Sequence, residues 1–177
     1  MLERYGIFRK LGFIGVDREN KASASRQFLR LSEAVLQRPF SMIWLTPQGR
    51  FVDVRDRPIT FERGISHIAK RVGGIQFLPL AIEYPFWEES RPEALIHLGT
   101  PLRLDPTLGV KEMTAELETA LESVQDFLAE RAIRRNPEDF EAIIQGSVGV
   151  GGIYDVWRRF RLIAKGHKPN ELKHSNL

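Results

Sequence analysis

The chain has 177 residues, 42% of them hydrophobic, with a formal net charge of +3 and no cysteine. That length supports one well-buried core, and two would be crowded. Without cysteine there is no disulfide, thiolate metal site or cysteine nucleophile, which fits a reducing compartment, and no apolar run approaches the roughly 20 residues a membrane-spanning helix needs.

The charge is unevenly spread. Residues 1–30 hold seven Lys/Arg against three Asp/Glu, residues 151–177 hold six against two, and Glu112 to Glu130 carries six acids and no base. Two basic ends point to an anionic surface, lipid headgroups or nucleic acid, with ordinary solvated faces as the alternative.

In chain order, residues 1–10 contain Tyr5 and Phe8 without a clean period and are assigned a short helix. Charges interrupt the apolar residues there and no small-residue cleavage site follows, so this end does not read as a secretory signal. Phe13-Ile14-Gly15-Val16-Asp17-Arg18 reads as a short buried strand ending in an acid–base pair. Ser23 or Ser25 is a cap for a helix with Ala24, Phe28, Leu31 and Val35 on one face, stopping before Pro39. The run Met42 to Pro47 lacks polar alternation and is assigned a strand buried on both faces of a helix-covered sheet. A right-handed crossover makes it parallel to the Phe13 strand, side by side or one strand apart.

The next stretch carries the densest set of turn and charge signals. Thr46-Pro47-Gln48-Gly49 suits a type I turn, with Arg50, Arg55 and Arg57 just beyond the strand's carboxyl end, where open α/β sheets bind ligands. Thr60 is a candidate N-cap with Glu62 in the first turn; Ile65, Ile68, Ala69 and Val72 follow at helical spacing until Gly73-Gly74. A strand, a cationic loop and a helix start together make an anion site.

Gln76 to Ile82 reads as another buried strand, with Pro79 excluding a fully paired central position. Tyr84, Phe86 and Trp87 follow, as the lining of an acyl or acceptor groove or as rim packing. Ala94 to Gly99 is the next strand. Met113, Leu117, Ala120, Val124 and Phe127 then mark the clearest helix, with Leu121 and Leu128 widening the stripe; Glu112, Glu116, Glu118, Glu122, Asp126 and Glu130 are assigned to its outer face, and Arg131, Arg134 and Arg135 to its last turn. Beyond Asn136-Pro137 come a short helix to Ile144 and a glycine-rich hinge from Gly146 to Gly152. A basic amphipathic helix with Ile153, Val156, Trp157, Phe160, Ile163 and Ala164 on one face follows, suited to a membrane interface or to docking on the domain. The division is therefore residues 1–145, an α/β domain, and 146–177, hinge, basic helix and polar tail.

Several of these pieces resemble signatures of the glycerophospholipid acyltransferase family, of the 1-acylglycerol-3-phosphate acyltransferase type. Gly12 to Arg18 resembles the second signature, Gly-x-Ile-Phe-Ile-x-Arg, in its glycine, apolar run and terminal arginine. Leu45, Thr46, Pro47, Gln48, Gly49 and Arg50, followed by Phe61, Glu62, Arg63 and Gly64, resemble the third, apolar-Pro-Glu-Gly-Thr-Arg-Ser with its Phe-Lys-x-Gly helix start; Gln48 stands for the usual acid and Arg50 for the usual threonine. Ile75 to Ile82, with Pro79, resembles the proline-bearing fourth, and Gly99-Thr100-Pro101-Leu102 its Gly-x-Pro strand end. The resemblance covers Gly12 to about Leu102.

The resemblance implies an α/β fold, a mainly parallel sheet covered by helices, in the form of an N-terminally incomplete acyltransferase fold. It implies transfer of an acyl group from acyl-CoA or acyl-ACP to the hydroxyl of a lysolipid or glycerol phosphate, with no bound cofactor or metal. The acceptor-binding residues it implies are Arg18, Pro47, Gln48, Gly49, Arg50, Arg63 and Gly64. It further implies a cytoplasmic protein at the inner face of the membrane, with no nucleic-acid partner; the basic C-terminal helix is the expected membrane contact, and apolar sheet surface exposed by the missing first strand is expected to favour self-association. The family's first signature, His-x-x-x-x-Asp, supplies the general base. It is not present: the fifth residues after His67, His97 and His167 are Val72, Leu102 and Leu172, and His174 stands too near the end. No catalytic residue is assigned, and this chain alone is expected to be weak or inactive. A non-catalytic, membrane-associated lipid- or anion-binding module is the alternative, and an unrelated α/β nucleotide-binding domain is disfavoured by the lack of a phosphate loop.

Overall fold

The computed structural model describes residues 12–13, 21–87 and 91–144. Among them are three α-helices, α1 Lys21–Leu36, α2 Gly64–Val72 and α3 Val110–Arg134, and two strands, β1 Leu80–Glu83 and β2 Leu95–Leu98. The strands form a two-stranded antiparallel sheet. The pairing continues beyond the named strands: Gly99 donates its amide to the Pro79 carbonyl at 2.9 Å, and Phe77 and Leu102 exchange two amide–carbonyl bonds of 2.9 Å each.

The mainly parallel, helix-covered sheet expected from the sequence is therefore corrected. A parallel return needs a crossover of a dozen or more residues, usually a helix. The link from Tyr84 to Ala94 has no helix among its described residues, so the chain comes back antiparallel. The Met42–Pro47 run, expected as a strand buried on both faces, belongs to no sheet among the described residues: Met42 and Trp44 are 79% and 65% exposed, while Ile43 and Leu45 between them are half-buried. Apolar composition had suggested two covered faces, but cover depends on what lies alongside. Phe13, the described start of the other expected strand, is 65% exposed; residues 14–20 lie outside the described residues.

Local signals mark the helices better than the sheet. α1 covers the expected Ala24–Val35 face, with Ser23 and Ser25 inside it instead of at its cap. It ends where Gln37 and Arg38 donate to the Glu33 and Val35 carbonyls, and Phe40 turns the chain at φ +57° ahead of the exposed run. α2 stops as expected, with Gly73 at φ +65° donating to the Ala69 carbonyl at 3.1 Å. Its start differs: Gly64 is the first helical residue, Arg63 occupies the N-cap position without a side-chain cap, and no acid lies in the first turn. Thr60 and Glu62, expected at the cap and in the first turn, belong to the loop before it. Asn136 ends the region of α3 by accepting from the Glu138 amide at 3.2 Å, and Pro137–Asp139 is one 3₁₀ turn in place of the expected helix to Ile144.

The chain divides into two compact units, residues 1–82 with 96–129, and residues 83–95 with 130–177. In the first, α1 packs on α2, and the contact is close at Gly64, where a Cβ would stand 3.2 Å from the Phe28 ring. Arg71 of α2 bonds Glu33 of α1 at 2.5 Å. Among the described residues of this unit, the buried apolar ones are Ile59, Ile68, Ala69, Ala81, Met113, Leu117, Val124 and Leu128. His97 of β2 stacks on Phe127 of α3 with ring centroids 4.4 Å apart. Ahead of α3, Asp105 accepts from the Thr107 hydroxyl and amide at 2.7 and 2.8 Å, bonds that hold its carboxyl below its ordinary pKa.

In the second unit, Trp87 donates its indole N–H to the Ala132 carbonyl at 3.1 Å and lies 5.9 Å from the Phe140 ring, while Arg135 bonds the carbonyls of Phe86 and Trp87 at 2.9 and 3.2 Å. Trp87 thus serves packing, and Tyr84 and Phe86 are exposed.

Candidate functional site

The site-bearing stretch runs from Thr46 to Gly64 and lies wholly in the first unit. It begins with a turn, closed by the Gly49 amide on the Thr46 carbonyl at 3.3 Å. Pro47 restricts the second position, and Gly49 takes φ +66°, which glycine adopts without steric cost. A Cβ at Gly49 would come 2.9 Å from Cγ of Glu62, so glycine also lets the turn lie against the later part of the loop.

That later part closes back on the turn. Glu62 donates its amide to the Pro47 carbonyl at 2.8 Å, and Arg50 Nη2 donates to the Thr60 hydroxyl at 3.3 Å. The Pro47–Arg50 turn and the Arg63–Gly64 helix start, separated by a dozen residues in sequence, are thereby held together. Pro47 and Gln48 are half-buried, whereas Arg50 and Arg63 are exposed. The first amides of α2 have no side-chain cap, and the aligned peptide dipoles favour negative charge there. Gly64 belongs to this site through the backbone only, since its side of the helix faces Phe28.

The sequence had singled out the arginines but missed what holds the loop. Arg57, expected among the ligand-facing cations, points its guanidinium at Asp126 of α3, with Nε 3.0 Å from Oδ1 and Nη2 on the same oxygen, and Nη1 on the carbonyls of Val54 and Asp56 at 3.0 and 2.9 Å. The Ile59 amide donates to Glu122 Oε2 at 3.3 Å and the Phe61 amide to Glu118 Oε1 at 2.7 Å. Three of the six acids assigned to the solvent face of the long helix are thus anchors for the loop. Their i, i+4, i+8 spacing was the available signal.

Of the remaining expected site residues, Arg18 lies outside the described residues, as does the basic helix beyond Gly152. His67 is exposed on α2, and His97 is half-buried against Phe127. Among the described residues no group of three or more His, Asp or Glu side chains is arranged to hold a metal ion, and no helix is long and apolar enough to cross a membrane. No family model, curated protein or solved structure matches this chain.

Proposed function

We propose that this chain serves acyl transfer to a glycerolipid, with the Pro47–Gly64 stretch recognising the phosphate or another oxyanion of a lysolipid or glycerol phosphate acceptor, and acyl-CoA or acyl-ACP as donor. The observation that carries the reading is the closure of the turn onto the helix start through the Glu62–Pro47 and Arg50–Thr60 bonds, which joins the two halves of the sequence signature. The chemistry is that of a small anion site: two exposed guanidiniums, each able to offer paired donors, beside an uncapped helix start. Arg18 is the third cation of the reading, and the lipid acceptor places the work at the cytoplasmic face of a membrane.

A second reading keeps the anion site and removes the reaction. It is favoured by the absence of His-x-x-x-x-Asp from the sequence, since a general base is worth on the order of 10² to 10⁴ in rate. Titration of the full chain with glycerol 3-phosphate and a short-chain lysophosphatidate tests the shared premise: Arg50→Ala and Arg18→Ala are each expected to weaken binding about tenfold to a hundredfold, the equivalent of one charge-assisted contact. Equal affinities in wild type and both variants would sink it. Turnover of an acyl thioester with the lysolipid then separates the readings: acylated product that forms slowly but falls in Arg50→Ala supports the first, and binding with no product above the uncatalysed background supports the second.

A further inference from the structure

Four polar residues of α3 stand at four-residue intervals, Thr114, Glu118, Glu122 and Asp126, and each meets the preceding loop or α2. Their partners run backwards along the chain: Ser66 with Thr114 at 2.7 Å, the Phe61 amide with Glu118, the Ile59 amide with Glu122, and the Arg57 side chain with Asp126. The Thr114 hydroxyl gives its proton to the Val110 carbonyl at 2.7 Å, so Ser66 is the donor to Thr114.

The spacing has a geometric cause. Four residues of helix rise about 6 Å, and two residues of extended chain advance about 6.5 Å. In extended chain the amides of alternate residues point the same way. A carboxylate every fourth residue of a helix therefore keeps step with every second amide of an extended segment lying antiparallel to it. Because four residues turn the helix by about 40° beyond a full circle, the segment crosses it obliquely. The carboxylates of α3 take the place that carbonyls of a neighbouring strand would occupy.

We propose that Thr114, Glu118, Glu122 and Asp126 are a register ladder whose function is positional: it sets the path of Arg57–Phe61 and through it the juncture that presents Arg50 and Arg63. A slip of the loop by one residue would turn the Ile59 and Phe61 amides away from the helix and carry buried Ile59 out of the core. Ser66, fully buried in α2, locks the helix end of the same register. The coupling to anion binding rests on the function proposed above; the ladder itself does not.

The test uses the full chain with Glu118→Ala/Glu122→Ala and Glu118→Gln/Glu122→Gln, reading amide hydrogen exchange by NMR and titration with glycerol 3-phosphate. In the alanine pair, exchange at Ile59 and Phe61 should quicken about tenfold to a hundredfold, the loss of one charged hydrogen bond each, while α1 amides stay unchanged. The glutamine pair keeps a side-chain oxygen acceptor and should restore protection to within a few-fold, and glycerol 3-phosphate affinity should fall about tenfold in the alanine pair and return in the glutamine pair. Unchanged exchange at both amides, equal acceleration at every amide, or no rescue by glutamine would overturn the ladder. Faster exchange with undiminished glycerol 3-phosphate affinity would overturn its coupling to the site. If the wild type binds no glycerol 3-phosphate, the proposed function falls, while the exchange data still decide the ladder. Should the alanine pair not fold, the single Glu118→Ala variant reads the Phe61 amide alone.

Discussion

Two non-helical segments of the same stretch meet opposite fates. Met42–Thr46 is the more apolar, and it is the one that shows Met42 and Trp44 to solvent. Arg57–Phe61 is the more polar, with an arginine and a proline, and it is the one that buries Ile59 and has its alternate amides bonded to α3. An extended chain cannot satisfy its own amides, so its order depends on what acceptors lie alongside. Hydrophobicity predicts which segment would gain from cover. Only a partner with matching periodicity supplies it, and here that partner is a helix.

The largest effect is expected from removing the support beneath the covered segment. Leu128, with no exposed surface on α3, is expected to cost about 2 to 5 kcal/mol when replaced by alanine, from lost burial and the cavity left behind. Chemical denaturation of Leu128→Ala measures it, and a loss below about 1 kcal/mol would mean that α3 is not the organising wall of the unit. The turn between the two segments gives a smaller effect. Gly49→Ala forces an L-residue to φ +66° and pushes a methyl toward Glu62, at a cost of about 1 to 2 kcal/mol. Its urea midpoint should fall accordingly, and an unshifted midpoint would show that the turn is not held as described.

The smallest effect is expected on the uncovered segment. Met42→Ser and Trp44→Ser sit on the uncovered side of their segment, and exposed substitutions of this kind usually stay within about 0.5 kcal/mol. Thermal melts of both variants should overlay the wild type. A loss of several degrees, growing with protein concentration, would show that the apolar side is covered in solution by a second copy.

The candidate anion site was legible only in part. Pro47, Gly49, Arg50, Arg63 and Gly64 were marked by residue type and by their resemblance to a signature, and the turn at Gly49 and the helix beginning at Gly64 are where those signals put them or within a few residues. Arg57 was misplaced as a ligand-facing cation because a sequence shows its charge and not the carboxylate that meets it from 69 residues away. Thr60, a good capping residue by type, instead accepts from Arg50, since the helix starts too late for it to cap.

What the sequence determined by itself is what depends on neighbours a few residues apart: the three helices, the stop at Gly73, the turn at Gly49, and the apolar line of Met113, Leu117, Val124 and Leu128 along α3. These follow from backbone sterics and a 3.6-residue period, which act within one or two turns of chain. The tertiary structure decided the rest: that Phe77–Glu83 pairs antiparallel with Leu95–Leu102, that Met42 and Trp44 face outward, and that Glu118, Glu122 and Asp126 face the loop. Each of these is a choice of long-range partner, and a carboxylate or an apolar side chain has the same local chemistry whether its partner is water or a segment 57 residues away.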